Sequence, residues 1–292
     1  MTEIAVHDPA AERMGFFTDT TVCIGCKACE VACKQWNDLP ADGHTFGKRG
    51  SYDSTGSLGA ATWRHVRFVE TVAPIPQIED DVDLVGWAEA NGGAVPQLDK
   101  WLFMSDVCKH CTNAGCLDAC PTGALIRTEF ETVIVQADVC NGCGYCVPSC
   151  PFGVIDRDPF DGRAAKCTLC YDRLQDGLEP ACAKACPTDS IQFGPYEELI
   201  EVARGRVAEL HSRGLEDAYL YGADGDSEDS IAGGLGAFFL LTQPPERFGL
   251  PAAAESPVQE NAPVANFAGI AAAAVAASAT IASFVHAYRR AR

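Results

Sequence analysis

The chain has 292 residues, which is long enough for two or more compact units, so a single domain is not the default expectation. Its 40 acidic residues outnumber its 22 basic residues and give a formal net charge of -18. Proteins that bind nucleic acid need clustered Lys and Arg, so the composition excludes nucleic acid as a partner.

The first segment, residues 1–15, contains acidic side chains and no apolar run of the kind that forms the core of a signal peptide, so no export signal is visible. Soon afterwards the cysteines begin, and all 16 of them lie between Cys23 and Cys186. They form four groups: Cys23, Cys26, Cys29 and Cys33; Cys108, Cys111, Cys116 and Cys120; Cys140, Cys143, Cys146 and Cys150; and Cys167, Cys170, Cys182 and Cys186.

The spacing within these groups indicates which chemistry they support. Disulfides cross-link distant segments, whereas cysteines two residues apart in runs of three converge on one small object. Zinc prefers two C-x2-C pairs separated by a longer loop, which these runs of three do not match. The third group, C-x2-C-x2-C-x3-C-P, has the spacing of bacterial two-cluster ferredoxins, in which the fourth cysteine ligates the neighbouring cluster. The sequence therefore predicts paired [4Fe-4S] clusters.

Between the first and second groups, residues 35–100 are rich in Gly, Ser, Asp and Pro and are predicted to be an insertion that covers the cluster core. Trp63–Val72 is the best strand candidate within it. In the last three groups the final cysteine precedes a proline, which fixes a turn, and a short apolar segment follows. This pattern predicts small β-hairpins and single-turn helices around the clusters.

Beyond the cysteines, Pro195–Gly214 is predicted to be an amphipathic packing helix. Its apolar face consists of Leu199, Val202, Ala203, Val207 and Leu210. Gly233–Leu241 is a glycine-rich apolar strand or loop, and Gln243–Pro263 has the Pro, Ala and Glu content of an extended linker. Val264–Tyr288 contains no Asp, Glu, Lys or Arg and would span about 37 Å as a helix, more than the roughly 30 Å hydrocarbon core of a bilayer. It is predicted to be a single transmembrane helix.

Repeat symmetry predicts which cysteines share a cluster. Nesting pairs the second group with the third and the first group with the fourth, and paired groups exchange their fourth ligands. The predicted ligand sets are the Cys23 set (Cys23, Cys26, Cys29 and Cys186), the Cys108 set (Cys108, Cys111, Cys116 and Cys150), the Cys140 set (Cys140, Cys143, Cys146 and Cys120) and the Cys167 set (Cys167, Cys170, Cys182 and Cys33). Because every position is a cysteine, four complete [4Fe-4S] clusters are predicted.

Residues beside the ligands are candidates for tuning the clusters. A [4Fe-4S] core held by four thiolates has a net charge of about -2, so nearby cations and N–H donors set its potential. Lys27, Lys109, Lys166 and Lys184 lie next to ligands, with ordinary solvation as the alternative. His110 lies between two ligands, but complete cysteine sets leave it no vacancy, so it is predicted to lie at the surface or to support a ligand.

No nucleotide-binding, zinc-protease or nucleophile-elbow motif is present in the sequence. Four clusters without substrate machinery are interpreted as an electron wire that is not catalytic by itself, with the chemistry at both ends in partner proteins. A zinc-stabilised assembly scaffold without redox function is the alternative from a different class.

The cysteine groups resemble those of the four-cluster iron-sulfur subunits that accompany molybdopterin enzymes of the dimethyl sulfoxide reductase superfamily. Within that superfamily, Phe16–Thr20 leading into Cys23–Cys29, then Lys34–Asn37 and, near the other end, Gly236–Leu241 resemble formate dehydrogenase β subunits. The resemblance implies a catalytic α subunit with a molybdenum or tungsten pterin centre that oxidises formate. It also implies a cytochrome b γ subunit that reduces quinone. The alternative is the same wire in another molybdopterin or hydrogenase complex, acting on a sulfur compound, nitrite or hydrogen.

Alanine dominates the predicted membrane helix, and small residues favour close helix packing, so the helix is expected to dock against a multi-span partner. A soluble Ala-rich helix packed on a partner is the alternative. Arg289, Arg290 and Arg292 follow the span, whereas Glu255 and Glu260 precede it. The positive-inside rule then places the C-terminus in the cytoplasm and the cluster domain on the extracytoplasmic, periplasmic side of the cell membrane. The resemblance implies export together with a catalytic subunit that bears a twin-arginine signal.

The predicted fold class is α+β, with two nested bacterial-ferredoxin-like domains, insertions and one C-terminal transmembrane helix. The predicted boundaries are 1–34 with 160–194 for the outer ferredoxin-like domain, 35–100 for the insertion, 101–159 for the inner ferredoxin-like domain, 195–245 for a helix and strand cover, 246–263 for the linker and 264–288 for the transmembrane helix.

Overall fold

The computed structural model describes residues 12–41, 53, 55–72, 98–223 and 231–290. The helices are α1 (Ala28–Trp36), α2 (Gly115–Asp118), α3 (Tyr171–Gln175), α4 (Ala181–Lys184), α5 (Tyr196–Ser212) and α6 (Pro257–Arg290). The strands are β1 (Met14–Asp19), β2 (Arg64–Val72), β3 (Leu98–Val107), β4 (Leu125–Arg127), β5 (Val133–Val135), β6 (Asp156–Arg157), β7 (Ala164–Ala165), β8 (Ile191–Pro195), β9 (Tyr219–Tyr221) and β10 (Ala237–Leu241). Short helices and strands therefore alternate around the cysteines, as the sequence predicts.

A four-stranded sheet in the order β8-β1-β10-β9 joins both ends of the cysteine region. The central strand β10 is apolar along its whole length and fully buried, as expected for a strand that is covered on both faces. It runs parallel to β1, and the ring of Phe17 stacks on that of Phe238 at 5.4 Å between centroids. Tyr196, at the start of α5, meets Phe238 edge-on at 5.6 Å. These rings form the centre of the main core.

Helix α5 packs on this sheet, which confirms the predicted amphipathic helix with slightly shorter bounds. Leu199, Ala203 and Leu210 are buried, as predicted. Val202 was wrongly assigned to the apolar face, because it is 49 % exposed and Ile200 is buried in its place. The face of the helix that packs on the sheet contains Tyr196, Leu199, Ile200 and Ala203, which follow the i, i+3, i+4 and i+7 pattern. Val202 lies outside this face and is therefore turned towards solvent.

Strands β2 and β3 form an antiparallel hairpin that lies over the cysteines. β2 confirms the strand predicted at Trp63–Val72, whereas the sequence analysis did not identify β3, which leads directly into Cys108. Most of the remainder of the predicted insertion, 35–100, lies outside the described residues, as does most of the segment 1–15. Two small hairpins, β4 with β5 and β6 with β7, follow the second and third cysteine groups.

The segment predicted to be an extended linker is instead packed against the protein, so that prediction was wrong. Residues Pro245–Phe248 form a 3-10 turn, and Phe248, Leu250 and Ala254 are buried in the core. Apolar side chains spaced along a Pro-rich segment gain more from burial than from extension in water. The packed part of the protein therefore extends through this segment up to Ser256.

Helix α6 begins at Pro257, earlier than the predicted span at Val264. Ser256 precedes it, and the Ser256 hydroxyl accepts a hydrogen bond from the Gln259 backbone N–H at 3.4 Å. A serine cap followed by proline at the first helical position is a common helix start. Among the described residues, α6 is long and apolar enough to cross a membrane by length and composition, and its apolar stretch is exposed.

Candidate metal centres

The same backbone turn recurs at the start of all four cysteine groups. The residue before the second cysteine adopts a left-handed conformation in each group, at Gly25 (φ 67°), His110 (φ 44°), Gly142 (φ 73°) and Leu169 (φ 59°). Non-glycine residues adopt this conformation at an energetic cost, so its presence at His110 and Leu169 indicates a turn that the site requires. The turn brings the first two thiols of each group towards the same side.

Three cavities are each lined by four cysteines that the sequence analysis assigned to one set. The first is lined by Cys23, Cys26, Cys29 and Cys186. The second is lined by Cys108, Cys111, Cys116 and Cys150. The third is lined by Cys33, Cys167, Cys170 and Cys182. In each, three cysteines come from one group and one cysteine comes from another.

The four cysteines of the Cys140 set also lie near one another. Burial raises the pKa of Cys146 to about 11, and the neighbouring thiols of Cys120, Cys140 and Cys143 add to this rise. Cys120 belongs to the second group, so the exchange of the fourth cysteine has the same form here. Cys143 is exposed, as is Cys26 of the Cys23 set, whereas all four cysteines of the Cys167 set are buried.

Burial dominates the electrostatics of the thiols. It raises the pKa of Cys29, Cys33 and Cys116 to about 12. Thiols with such pKa values keep their protons at neutral pH in the absence of metal. Binding of iron would therefore displace protons, since the thiolate is the metal ligand.

Several sulfur atoms accept hydrogen bonds from groups that suit a thiolate or a cluster. The backbone N–H of Leu169 donates to Cys167 Sγ at 3.3 Å, and that of Ala164 donates to Cys140 Sγ at 3.4 Å. Asn37 donates to Cys33 Sγ at 3.7 Å through its side-chain amide. Four cysteine sulfurs around one cavity, with such donors behind them, fit a [4Fe-4S] cluster.

Arg64 and Ser105 are functional candidates that the sequence analysis did not identify. Arg64 is 1 % exposed, and its Nη2 donates to Cys182 Sγ at 3.1 Å. The hydroxyl of Ser105 lies 3.2 Å from Cys29 Sγ. Both residues are far from these cysteines in the sequence and reach them through the β2–β3 hairpin. No local signal singles out Arg64, because the same strand also contains His65, Arg67 and Glu70.

The four lysines predicted to tune clusters have different environments. Lys109 and Lys166 are buried, at 1 % and 2 % exposure, and both line the cavity of the Cys108 set. Lys27 is partly buried and pairs with Glu30 at 3.3 Å. Lys184 is exposed, so solvation describes it adequately.

His110 is buried at 2 % exposure and does not lie at the surface. Its Nδ1 accepts a hydrogen bond from the backbone N–H of Val133 at 3.1 Å. Burial, with the nearby cations Lys166, Arg127 and Arg64, lowers the pKa of His110 well below its ordinary value. Neutral His110 therefore supports the turn between Cys108 and Cys111 by holding β5 against it.

Two family models, both described as a 4Fe-4S dicluster domain, match residues 22–124 and 99–196. Fold, cavities and family matches together define a ferredoxin-type protein with 4Fe-4S dicluster domains, mixed helix and strand structure and one apolar C-terminal helix. The matched ranges follow chain order and do not divide the chain into an outer and an inner unit. They do not fit the alternative of a zinc-stabilised scaffold.

The chain is 40 % identical over 251 residues to the iron-sulfur subunit of the nitrate-inducible formate dehydrogenase of Escherichia coli. The aligned region covers 84 % of this chain and 74 % of that protein. It is 43 % identical over 208 residues to the formate dehydrogenase iron-sulfur subunit of Haemophilus influenzae, or 71 % of this chain and 59 % of that protein. It is 33 % identical over 187 residues to the B subunit of the anaerobic dimethyl sulfoxide reductase of Escherichia coli, or 64 % of this chain and 76 % of that protein.

The chain therefore belongs to the family of formate dehydrogenase iron-sulfur subunits, which confirms the resemblance drawn from Phe16–Thr20 and the cysteine groups. An iron-sulfur subunit of such a complex transfers electrons and has a catalytic subunit as its partner. This agrees with a chain that is not catalytic by itself.

Proposed function

We propose that this chain carries electrons through four [4Fe-4S] clusters, from a molybdenum- or tungsten-pterin subunit that oxidises formate to a cytochrome b subunit that reduces quinone, in anaerobic respiration. The observation that carries the proposal is the convergence of four cysteines on each of three cavities, together with the similar neighbourhood of Cys146. When bound, a [4Fe-4S] cluster accepts and donates one electron, which is the chemistry that a row of such sites supplies.

The sixteen cysteines hold the clusters in the Cys23, Cys108, Cys140 and Cys167 sets. Support comes from the exchanged cysteines: Cys186 lines the cavity of the first group, Cys33 that of the fourth and Cys150 that of the second. This exchange favours an outer domain, 1–34 with 160–194, nested around an inner domain, 101–159. The cover at 195–245 supplies β9, β10 and α5, which pack against the outer domain through β1.

The sets follow one another in a row. Arg64 contacts Cys182 directly and Cys29 through Ser105. Cys108 is among the thiols that raise the pKa of buried Cys167, and Cys146 is among those that raise the pKa of Cys116. The order is therefore the Cys23 set, the Cys167 set, the Cys108 set and the Cys140 set. Partners should dock at the two ends, where Cys26 and Cys143 are exposed.

The Cys140 set is the end nearer the membrane helix. Asp118, two residues before Cys120, accepts hydrogen bonds at 3.0 Å from Ser256 and Gln259 at the start of α6. The cytochrome b subunit should therefore dock near Cys143, and the catalytic subunit near Cys26. Residues 264–288 of α6 cross the cell membrane once against that cytochrome subunit, with the C-terminus in the cytoplasm and the clusters on the periplasmic side.

The match to the dimethyl sulfoxide reductase B subunit favours a second candidate, the same electron wire in a complex that acts on a sulfur compound. A nitrite or hydrogen oxidoreductase is a further alternative complex in which the chain would have the same electron-transfer role. The two candidates differ only in the substrate of the catalytic subunit, so the substrate must be tested in the assembled complex.

The first test is to purify the complex anaerobically from its native membrane and measure iron and formate-driven dye reduction. We expect about sixteen irons per copy of this chain, four for each cluster, and reduction of the dye by formate. Sixteen irons without formate activity would support the second candidate. Iron well below this number would overturn the four-cluster proposal.

The ligand sets are tested by comparing serine variants by electron paramagnetic resonance. Cys150→Ser should remove the same signal as Cys111→Ser, since both belong to the Cys108 set. Cys143→Ser, which lies in the same sequence group as Cys150, serves as the matched control and should remove a different signal. If Cys150→Ser instead matched Cys143→Ser, the exchange of fourth ligands would be wrong.

A further inference from the structure

Arg64 and Lys166 are buried cations without a carboxylate partner among the described residues. Both side chains belong to residues that are at most 2 % exposed. Arg64 donates to the carbonyl of Ser105 at 3.2 Å and to Cys182 Sγ at 3.1 Å, and lies over the ring of Phe16 at 4.7 Å. Lys166 donates to the carbonyls of Val133 and Cys167. A buried cation with only dipoles around it is costly, so an anionic group should lie nearby.

Two other cations in the described chain, one buried and one half-buried, have their own carboxylates. Lys109 is paired with Asp106, and Arg206 donates to Asp19 at 2.9 Å. These pairs are locally neutral and need no further anion. Buried Arg173 has no carboxylate in an ion pair among the described residues, but it donates to a backbone carbonyl at 2.6 Å and lies over an indole ring at 4.3 Å. Arg64 and Lys166 differ from it because each contacts residues of two cysteine sets.

The groups that face Arg64 and Lys166 are cysteine sulfurs from two different sets, which are anionic when they ligate iron as thiolates. Arg64 lines the cavity of the Cys167 set, and its Nε–H has no hydrogen-bond partner in the described part of the protein. Through its Nη1, Arg64 also reaches the hydroxyl of Ser105 at 3.4 Å, and this hydroxyl lies 3.2 Å from Cys29 Sγ of the Cys23 set. Arg64 therefore stands between the Cys23 and Cys167 sets.

Lys166 has the equivalent position between the Cys167 and Cys108 sets. It lines the cavity of the Cys108 set and donates to the carbonyl of Cys167 at 2.8 Å. Its ammonium group therefore lies between the cysteines of both sets.

We propose that Arg64 and Lys166 are shared counter-charges, each of which raises the reduction potential of two neighbouring clusters. The inference rests on the proposed four-cluster assignment. A fixed positive charge stabilises the reduced cluster, which carries one more negative charge, so its removal should make reduction harder. Arg64 acts on the Cys23 and Cys167 sets, and Lys166 acts on the Cys108 and Cys167 sets. Both are positioning residues, since neither ligates iron.

The test is a redox titration of the purified complex followed by electron paramagnetic resonance, with the signals assigned through the cysteine variants. Arg64→Met should shift the midpoints of the Cys23 and Cys167 sets to more negative potential and leave the other two unchanged. Lys166→Met should shift those of the Cys108 and Cys167 sets. The matched control is Arg204→Met, which removes an exposed charge from α5 and should shift none.

Two milder variants keep the inference testable if Arg64→Met does not assemble. Arg64→Lys retains the charge and should keep both midpoints closer to wild type than any neutral variant. Ser105→Ala removes the link to Cys29 and should lower the midpoint of the Cys23 set alone. Unchanged midpoints in cluster-loaded Ser105→Ala and Lys166→Met, or equal shifts of all four clusters, would overturn the inference. Absence of four-iron signals in the wild-type complex would instead overturn the proposed function.

Discussion

Removing one partner of the buried ion pair between Asp106 and Lys109 should strongly destabilise the fold around Cys108. The side chain of Lys109 is 0 % exposed and that of Asp106 is 8 % exposed, so water screens their attraction little. Lys109 also lies over the ring of Phe152 at 5.1 Å, and its Nζ donates to the carbonyl of Val107 at 2.9 Å. We predict that Asp106→Asn, which keeps the shape but removes the charge, destabilises the protein by about 3–5 kcal/mol.

The magnitude follows from burial, so an exposed ion pair gives the matched control. Glu201 pairs with Arg204 at 3.2 Å on the surface of α5, where the two side chains are 76 % and 59 % exposed. Glu201→Gln should cost only about 0.2–1 kcal/mol. A second variant, Asp106→Leu with Lys109→Met, removes both charges and should recover most of the loss, because an apolar pair of similar volume leaves no unpaired charge.

The assay is the rate at which visible absorbance bleaches in guanidinium chloride under anaerobic conditions, since cluster loss makes unfolding irreversible. Asp106→Asn should bleach at least about tenfold faster than wild type, which corresponds to about 1.4 kcal/mol of the loss appearing in the unfolding barrier. A rate equal to that of Glu201→Gln would refute the reasoning. A double variant as fast as Asp106→Asn would show that packing, not charge, causes the loss.

Three further changes have defined outcomes. Gly25→Ala should lower the amount of iron bound by the Cys23 set, because Gly25 has φ 67° and an added Cβ would lie 2.7 Å from the facing phenylalanine ring of β3. The control is Gly177→Ala, which should leave the iron content unchanged because Gly177 has a similar φ of 69° but open space around it. Trp36→Phe should reduce the stability against denaturant unfolding by about 1 kcal/mol, because it removes the indole hydrogen bond to Asp172 at 2.8 Å. Unchanged stability would mean that this exposed hydrogen bond contributes nothing. Ala274→Asp, in the middle of the proposed span, should move the chain from the membrane to the soluble fraction, because inserting an aspartate at the centre of a membrane helix costs about 2.5–3.5 kcal/mol. Unchanged membrane association would argue against a span there.

Local sequence was sufficient to predict the parts of the site that depend on local geometry. The C-x2-C spacing that begins each group favours the turn before the second cysteine, because covalent geometry limits how two thiols separated by two residues can converge. The helix α5 was likewise predictable, since its apolar periodicity is local. Its buried face was misjudged by one residue, Val202, because the docking angle on the sheet is a tertiary property.

Long-range contacts decided what the sequence could not. Lys109, Lys166 and Lys184 carry the same sequence signal, a lysine beside a ligand, yet two are buried and one is exposed. The predicted linker is packed, because Phe248 is buried in a core cluster formed by distant segments. Arg64 lies 118 positions from Cys182 and reaches it only through the register of the β2–β3 hairpin. The grouping of the cysteines was therefore determined by local sequence, whereas the charges around them were determined by tertiary structure, because burial and pairing depend on segments that meet only in the fold.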